Sequence, residues 1–160
     1  MAKHRFLVGA NALFSPSGRI NRLQFLGNFW LGQILFVLIL LGLDQLPDAI
    51  NDDLWALLSQ PLGWLTMVLT VLLYYALFCL TAMRLHDVGM SGWFGLILFA
   101  GFVPNLISSI GGEVIETSGL TDMLNFVSFL GNLAVLTLGI ALSIWPGQPG
   151  DNIYGSSPAE

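Results

Sequence analysis

The stretch LGWLTMVLTVLLYYALFCLTA, residues 62–82, has no Asp, Glu, Lys or Arg and is as long as the ~20 residues a helix needs to cross ~30 Å of hydrocarbon. A soluble helix of that length would carry a polar face, and this one is apolar nearly all round. Three further stretches share the property: about 24–43, 93–110 and 124–145. They give the chain 55% apolar and only 9% charged residues, where a soluble domain has roughly a quarter charged. The reading is an all-α polytopic membrane protein, with four transmembrane helices in two antiparallel hairpins and a single domain over 1–160. Residues 1–23 form a cytoplasmic or interfacial segment, and 146–160 a Pro/Gly-rich cytoplasmic tail.

The net charge of −5 hides a sorting along the chain. Lys3, Arg5, Arg19, Arg22 and Arg84, all the basic residues, fall before the first apolar stretch or just after the second. Asp44, Asp48, Asp52, Asp53, Glu113, Glu116 and Asp122 fall in the other two connections. Lysine and arginine are retained on the cytoplasmic side, so both termini and the 84–92 loop are expected there and the acidic loops outside. The start, MAKHRFLVGANALF, has too short an apolar core for a signal peptide and is expected to be retained. Cys79, the only cysteine, lies inside a span, so no intrachain disulfide is possible.

Local signals refine the elements. Ser59 and Pro61 suit the start of helix two, Gly89 and Gly92 bracket the turn between hairpins, and Gly111 with Gly112 ends helix three. Pro104 removes a backbone donor ahead of Asn105 and should bend helix three. Ser17-Gly18 and Ser91-Gly92 precede helices one and three, a similarity of little more than a dipeptide. The tail cannot be helical and should lie as a strap on the surface.

Three polar blocks stand out: SPSGRINRLQF at 15–25, MRLHDVGMSGWFGLILF at 83–99 and PGQPGDNIYGSSP at 146–158. Together they resemble the signature blocks of the domain-of-unknown-function family 805, small bacterial inner-membrane proteins, and the likeness covers nearly the whole chain. The resemblance implies a four-helix integral membrane protein with no established activity. Met83 stands where the family pattern has a second arginine, and Ile153 where it has a basic residue.

All three blocks fall on the same side of the expected topology. Arg19, Arg22, Arg84, His86, Asp87, Asn152 and Tyr154 are therefore the candidate site, for a lipid headgroup or a protein partner, since guanidinium forks suit phosphate. Arg84 and Asp87, three apart, should pair on the last turn of helix two, and Arg19 and Arg22 should share a face at the start of helix one. A purely structural account competes: the arginines set topology, Asp87 neutralises one, and Trp93, Trp145 and Tyr154 anchor at the interface.

Catalysis has little support. GMSGW at 89–93 is not a nucleophile elbow, because glycine follows Ser91 by one position rather than two. His4, His86 and a buried thiol are too few for a zinc site without carboxylates, and the tail glycines lack the Lys-Ser/Thr pair of a phosphate loop. No cofactor, metal or nucleic acid is expected. Expected partners are membrane lipids with anionic headgroups, a second copy of the chain or another membrane protein.

The spans contain no ionisable side chain of the kind that marks transport pathways. Their polar residues are neutral: Gln33, Asn105 and Asn132, with Asn125 and Ser128 on the face of Asn132. Gln33 and Asn132 should lie at similar depth and hydrogen-bond across the bundle. Packing is the first reading of these residues, and an oligomeric transporter or channel subunit the alternative. Gly139 and Ser143 form a small-xxx-small patch suited to a helix contact.

Overall fold

The computed structural model describes residues 7–118 and 120–158. Lys3, His4, Arg5 and Glu160 lie outside the described residues. The fold is all-helical: a short α1 (Ala10–Leu13), α2 (Arg22–Asp44), a short α3 (Leu46–Ala49), α4 (Asp52–Val88), a 3-10 helix η1 (Gly92–Leu98), α5 (Phe99–Ser118) and α6 (Thr121–Ile144). Among the described residues, three helices are long and apolar enough to cross a membrane: α2, α4 and α6. The outer face of α2 shows which solvent they require. Ile34, Leu35, Val37, Leu38, Ile39 and Leu41 are each at least half exposed, an apolar surface far beyond the scattered residues a soluble protein tolerates. This is a membrane protein.

The third stretch does not wind as one regular helix. Its first six residues, with Gly92 before them, form η1, and the α-helix begins only at Phe99. The helix then runs through Gly111 and Gly112 to Ser118 instead of ending at the glycine pair. Helix two also begins earlier than Ser59 and Pro61 suggest. Asn51 caps it by accepting from the Leu54 N–H at 2.8 Å, and Asp52 and Asp53 occupy the first turn, where negative charge complements the helix dipole. Ser59 is already helical and donates back to the Ala56 carbonyl. With its 37 residues, α4 extends about 55 Å.

The core gathers at one end of the molecule. Phe25 and Phe29 near the start of α2, Leu77, Leu80, Met83 and Leu85 near the end of α4, Leu98 of η1 and Leu142 of α6 form one buried cluster with Ile20. The small patch on α6 serves an internal contact here. A Cβ at Gly139 would lie 2.7 Å from the Phe29 ring, and the indole of Trp30 donates to Ser143 Oγ at 3.1 Å. A second close contact joins α5 and α6. Gly101 and Gly131 meet backbone to backbone, and Asn105 donates to Ser128 Oγ at 2.7 Å while Ser128 donates to the Gly101 carbonyl at 3.0 Å.

One buried polar atom in the packed end is left over. Thr81 is fully buried, and its Oγ1 has no hydrogen-bond partner among the described residues. An unsatisfied buried hydroxyl costs about 1–3 kcal/mol. Thr81→Val keeps the shape and removes the hydroxyl, so it should raise the unfolding temperature in detergent. An unchanged or lower temperature would show that the hydroxyl is satisfied.

Candidate functional site

The last turn of α4 presents Arg84, His86 and Asp87. Gly89 stops that helix in the left-handed conformation, at φ 85°, and its N–H returns to the His86 carbonyl at 3.1 Å while the Met90 N–H reaches that of Leu85 at 2.8 Å. Such a helix end leaves further carbonyls without donors, and the C-terminal tail supplies them. The Gln148 N–H donates to the Asp87 carbonyl at 2.7 Å, and Asn152 Nδ2 gives the His86 carbonyl a second donor at 2.9 Å. The tail is thus the strap its composition suggests, and it lies over the end of α4.

Arg84 is 1% exposed and Asp87 3%, so their charges must be met internally. Arg84 Nη1 donates to Asp87 Oδ2. Its Nε donates to the Leu142 carbonyl at 2.9 Å and its Nη2 to that of Trp145. The reason lies four residues beyond Leu142, where the helical donor would be Pro146, which has no N–H. Arg84 therefore caps α6 with a cation, at the end where the dipole favours one.

Asp87 is shared by two arginines. Its Oδ1 accepts from Arg19 Nε at 3.0 Å and lies 2.9 Å from Arg19 Nη2. The rest of the Arg19 fork holds the tail, donating to the carbonyls of Gln148 and Gly150, each at 2.7 Å. Gly147 permits this closeness, since a Cβ there would stand 2.1 Å from Asp87 Oδ2. The cluster contains two guanidinium groups and one carboxylate.

His86 and Tyr154 stack with centroids 3.9 Å apart and planes 6° from parallel. His86 Nδ1 lies 3.2 Å from the Gly18 carbonyl, which ties the segment before α2 to the same cluster. Tyr154 is itself placed by Asn152, whose Oδ1 accepts from the Tyr154 N–H at 2.9 Å and whose backbone pairs with Gly155.

Six of the seven candidate residues thus come together: Arg19, Arg84, His86, Asp87, Asn152 and Tyr154. Arg22 does not join them. Helix α2 starts at Arg22, with Asn21 as its cap in a reciprocal bond with Gln24, so Arg19 lies before the helix and the two arginines share no helical face. Arg22 is exposed and, among the described residues, has no ion-pair or hydrogen-bond partner. It stands on the rim of a cleft of about 520 Å³ lined by Asn21, Leu23, Arg84, Asp87 and the tail.

The intramembrane polar residues divide. Asn132 turns toward α5, packing over Gly101 and donating to Ser128 Oγ at 3.5 Å, and Asn105 belongs to the same contact. Gln33 makes no hydrogen bond to Asn132. The residues that the sequence reading missed are backbone acceptors, chiefly Leu142 and Trp145, together with Gln148 and Gly147 of the tail. A proline four residues after Leu142 was the available signal.

Neither a curated protein nor a solved structure matches the chain. The family described as "Protein of unknown function (DUF805)" matches over residues 13–156. That range takes in the first two polar blocks, the third as far as Ser156, and every residue of the cluster, and the chain belongs to this family.

Proposed function

We propose that this is a non-catalytic bacterial inner-membrane protein that binds the phosphate of an anionic lipid at its cytoplasmic surface. The observation that carries the reading is Arg22, a cation unpaired among the described residues, on the rim of a cleft whose inner wall already holds Arg84 and Asp87. Asp87 already has two guanidinium groups, Arg84 and Arg19, and Arg22 adds a third at the cleft, so the excess is positive. Guanidinium groups suit phosphate, and the inner leaflet supplies anionic headgroups at that level.

The topology belongs to the same proposal. The positive residues 19, 22 and 84 cluster at one end of the helices and are taken as cytoplasmic, as are both termini. The protein is read as one domain of four spans in two antiparallel hairpins. For the third span, η1 rises about 2.0 Å per residue and the α-helical part about 1.5 Å. The apolar run Gly92–Ser108 then covers about 29 Å, close to the ~30 Å of a bilayer core. Stretching the first turns compensates for a short segment.

Arg22→Gln is the test, because among the described residues Arg22 bonds to nothing that holds the fold. Native mass spectrometry of the purified chain should show phosphatidylglycerol bound in preference to phosphatidylcholine. The substitution should weaken that binding about fivefold, the value of ~1 kcal/mol per arginine near a membrane surface, with the melting temperature unchanged. Equal binding of the two lipids, or no effect of the substitution, would refute the headgroup site.

A further inference from the structure

The face of α4 opposite Arg84 and Asp87 carries a second feature. Tyr75, Phe78, Ala82 and His86 follow one another at helical spacing and form one wall of a groove of about 610 Å³. Trp93 and Leu96 of η1 face them. No Lys or Arg lines the groove among the described residues, and beside His86 its polar groups are the hydroxyls of Ser17, Ser91, Tyr75 and Tyr154, the rest being hydrocarbon and aromatic ring.

His86 sits at the polar end. A carbonyl oxygen can only accept, so the contact of Nδ1 with the Gly18 carbonyl places the ring proton on Nδ1. In the neutral ring Nε2 is then an acceptor. Tyr154 covers one ring face and holds the orientation. Nε2 lies over Gly92, where a Cβ would approach it to 2.9 Å, and it has no hydrogen-bond partner among the described residues. Gly92, having no side chain, lets η1 pass this close to the His86 ring.

We infer that the groove binds a long-chain alcohol, its hydrocarbon chain lying along the α4–η1 wall and its hydroxyl donating to His86 Nε2. A phosphate or a carboxylate would find no Lys or Arg inside the groove among the described residues, whereas a single hydroxyl supplies the donor that Nε2 lacks. The site is separate from the Arg22 cleft, and neither depends on the other.

The test varies the ligand so that it does not rest on a variant's folding. Tritiated 1-hexadecanol is bound to the purified full chain in nanodiscs, with empty nanodiscs subtracted, and displaced by hexadecanol, its methyl ether, palmitate or hexadecyl phosphate. Hexadecanol should displace about tenfold better than the ether, the worth of one hydrogen bond in a dry site. His86→Phe, which keeps a ring to stack on Tyr154, should bind alcohol and ether equally, and Arg22→Gln should leave the preference intact. Three results would overturn the inference: an ether as effective as the alcohol, palmitate or phosphate outcompeting it, or a preference that survives His86→Phe.

Discussion

Asp87→Asn is expected to lower the melting temperature of the purified protein by about 10 °C or more. Among the described residues, Asp87 is the one carboxylate that pairs with the buried Arg84 and with Arg19. An amide in its place turns an acceptor oxygen into a donor that faces guanidinium donors, and it leaves two positive charges without a counter-ion. Removing one member of a buried ion pair costs about 3–5 kcal/mol, set against a total stability of roughly 5–15 kcal/mol. For a chain of this length each kcal/mol moves the melting temperature by about 2–4 °C. The loss should not be repaired by also replacing Arg84 with Met. That second change removes one of the two stranded charges, but it leaves Arg19 without a counter-ion and uncovers the Leu142 and Trp145 carbonyls that Arg84 caps. A double variant as stable as the parent would show that those carbonyls find other donors. Asp87→Asn at the parental melting temperature would show that the cluster is not what joins the tail, the segment before α2 and the end of α4.

The parts of this arrangement that were legible in the sequence are those written in charge and hydrophobicity. The apolar stretches announced the membrane, and the segregation of Arg19, Arg22 and Arg84 from the acids placed the three polar blocks at one end, where the structure joins them. The Arg84–Asp87 pair followed from spacing alone. What stayed hidden depended on where helices begin. Once Asn21 caps α2, Arg19 is on extended chain after Gly18, whose φ is 91°, and can turn to Asp87, while Arg22 on the first turn cannot. Asn51 followed by Asp52 and Asp53 signalled the true start of α4, but Ser59 and Pro61 offered a second plausible start nearer the apolar run. The 3-10 winding of η1 is a tertiary outcome. Gly92 lies against Ala82 and Gly95 against Phe78, so this segment is shaped by α4 more than by its own propensities.

The contact between α5 and α6 leads to the second large expected effect, for Gly131→Ala. A Cβ at Gly131 would fall 2.3 Å from the Gly101 nitrogen and 2.4 Å from the Ala100 carbonyl carbon. Both are backbone atoms, which cannot rotate aside as a side chain would. Pro104 makes this approach possible, because it provides no N–H for the Ala100 carbonyl four residues earlier and leaves that carbonyl facing α6. Close passage of small residues is how membrane helices associate where lipid removes the hydrophobic drive between them. Pushing the pair apart would also stretch the bonds that Ser128 makes with Gly101 and Asn105, so the cost should reach the upper part of the roughly 1–3 kcal/mol range for overpacking. The control is Gly63→Ala on α4, where a Cβ meets nothing within 4 Å and replacing glycine in a helix should instead be neutral or stabilising. Melting both variants in the same detergent separates the two expectations. If Gly131→Ala were as stable as Gly63→Ala, the helices could move apart at no cost, and the Ser128 hydrogen bonds would not hold them in register.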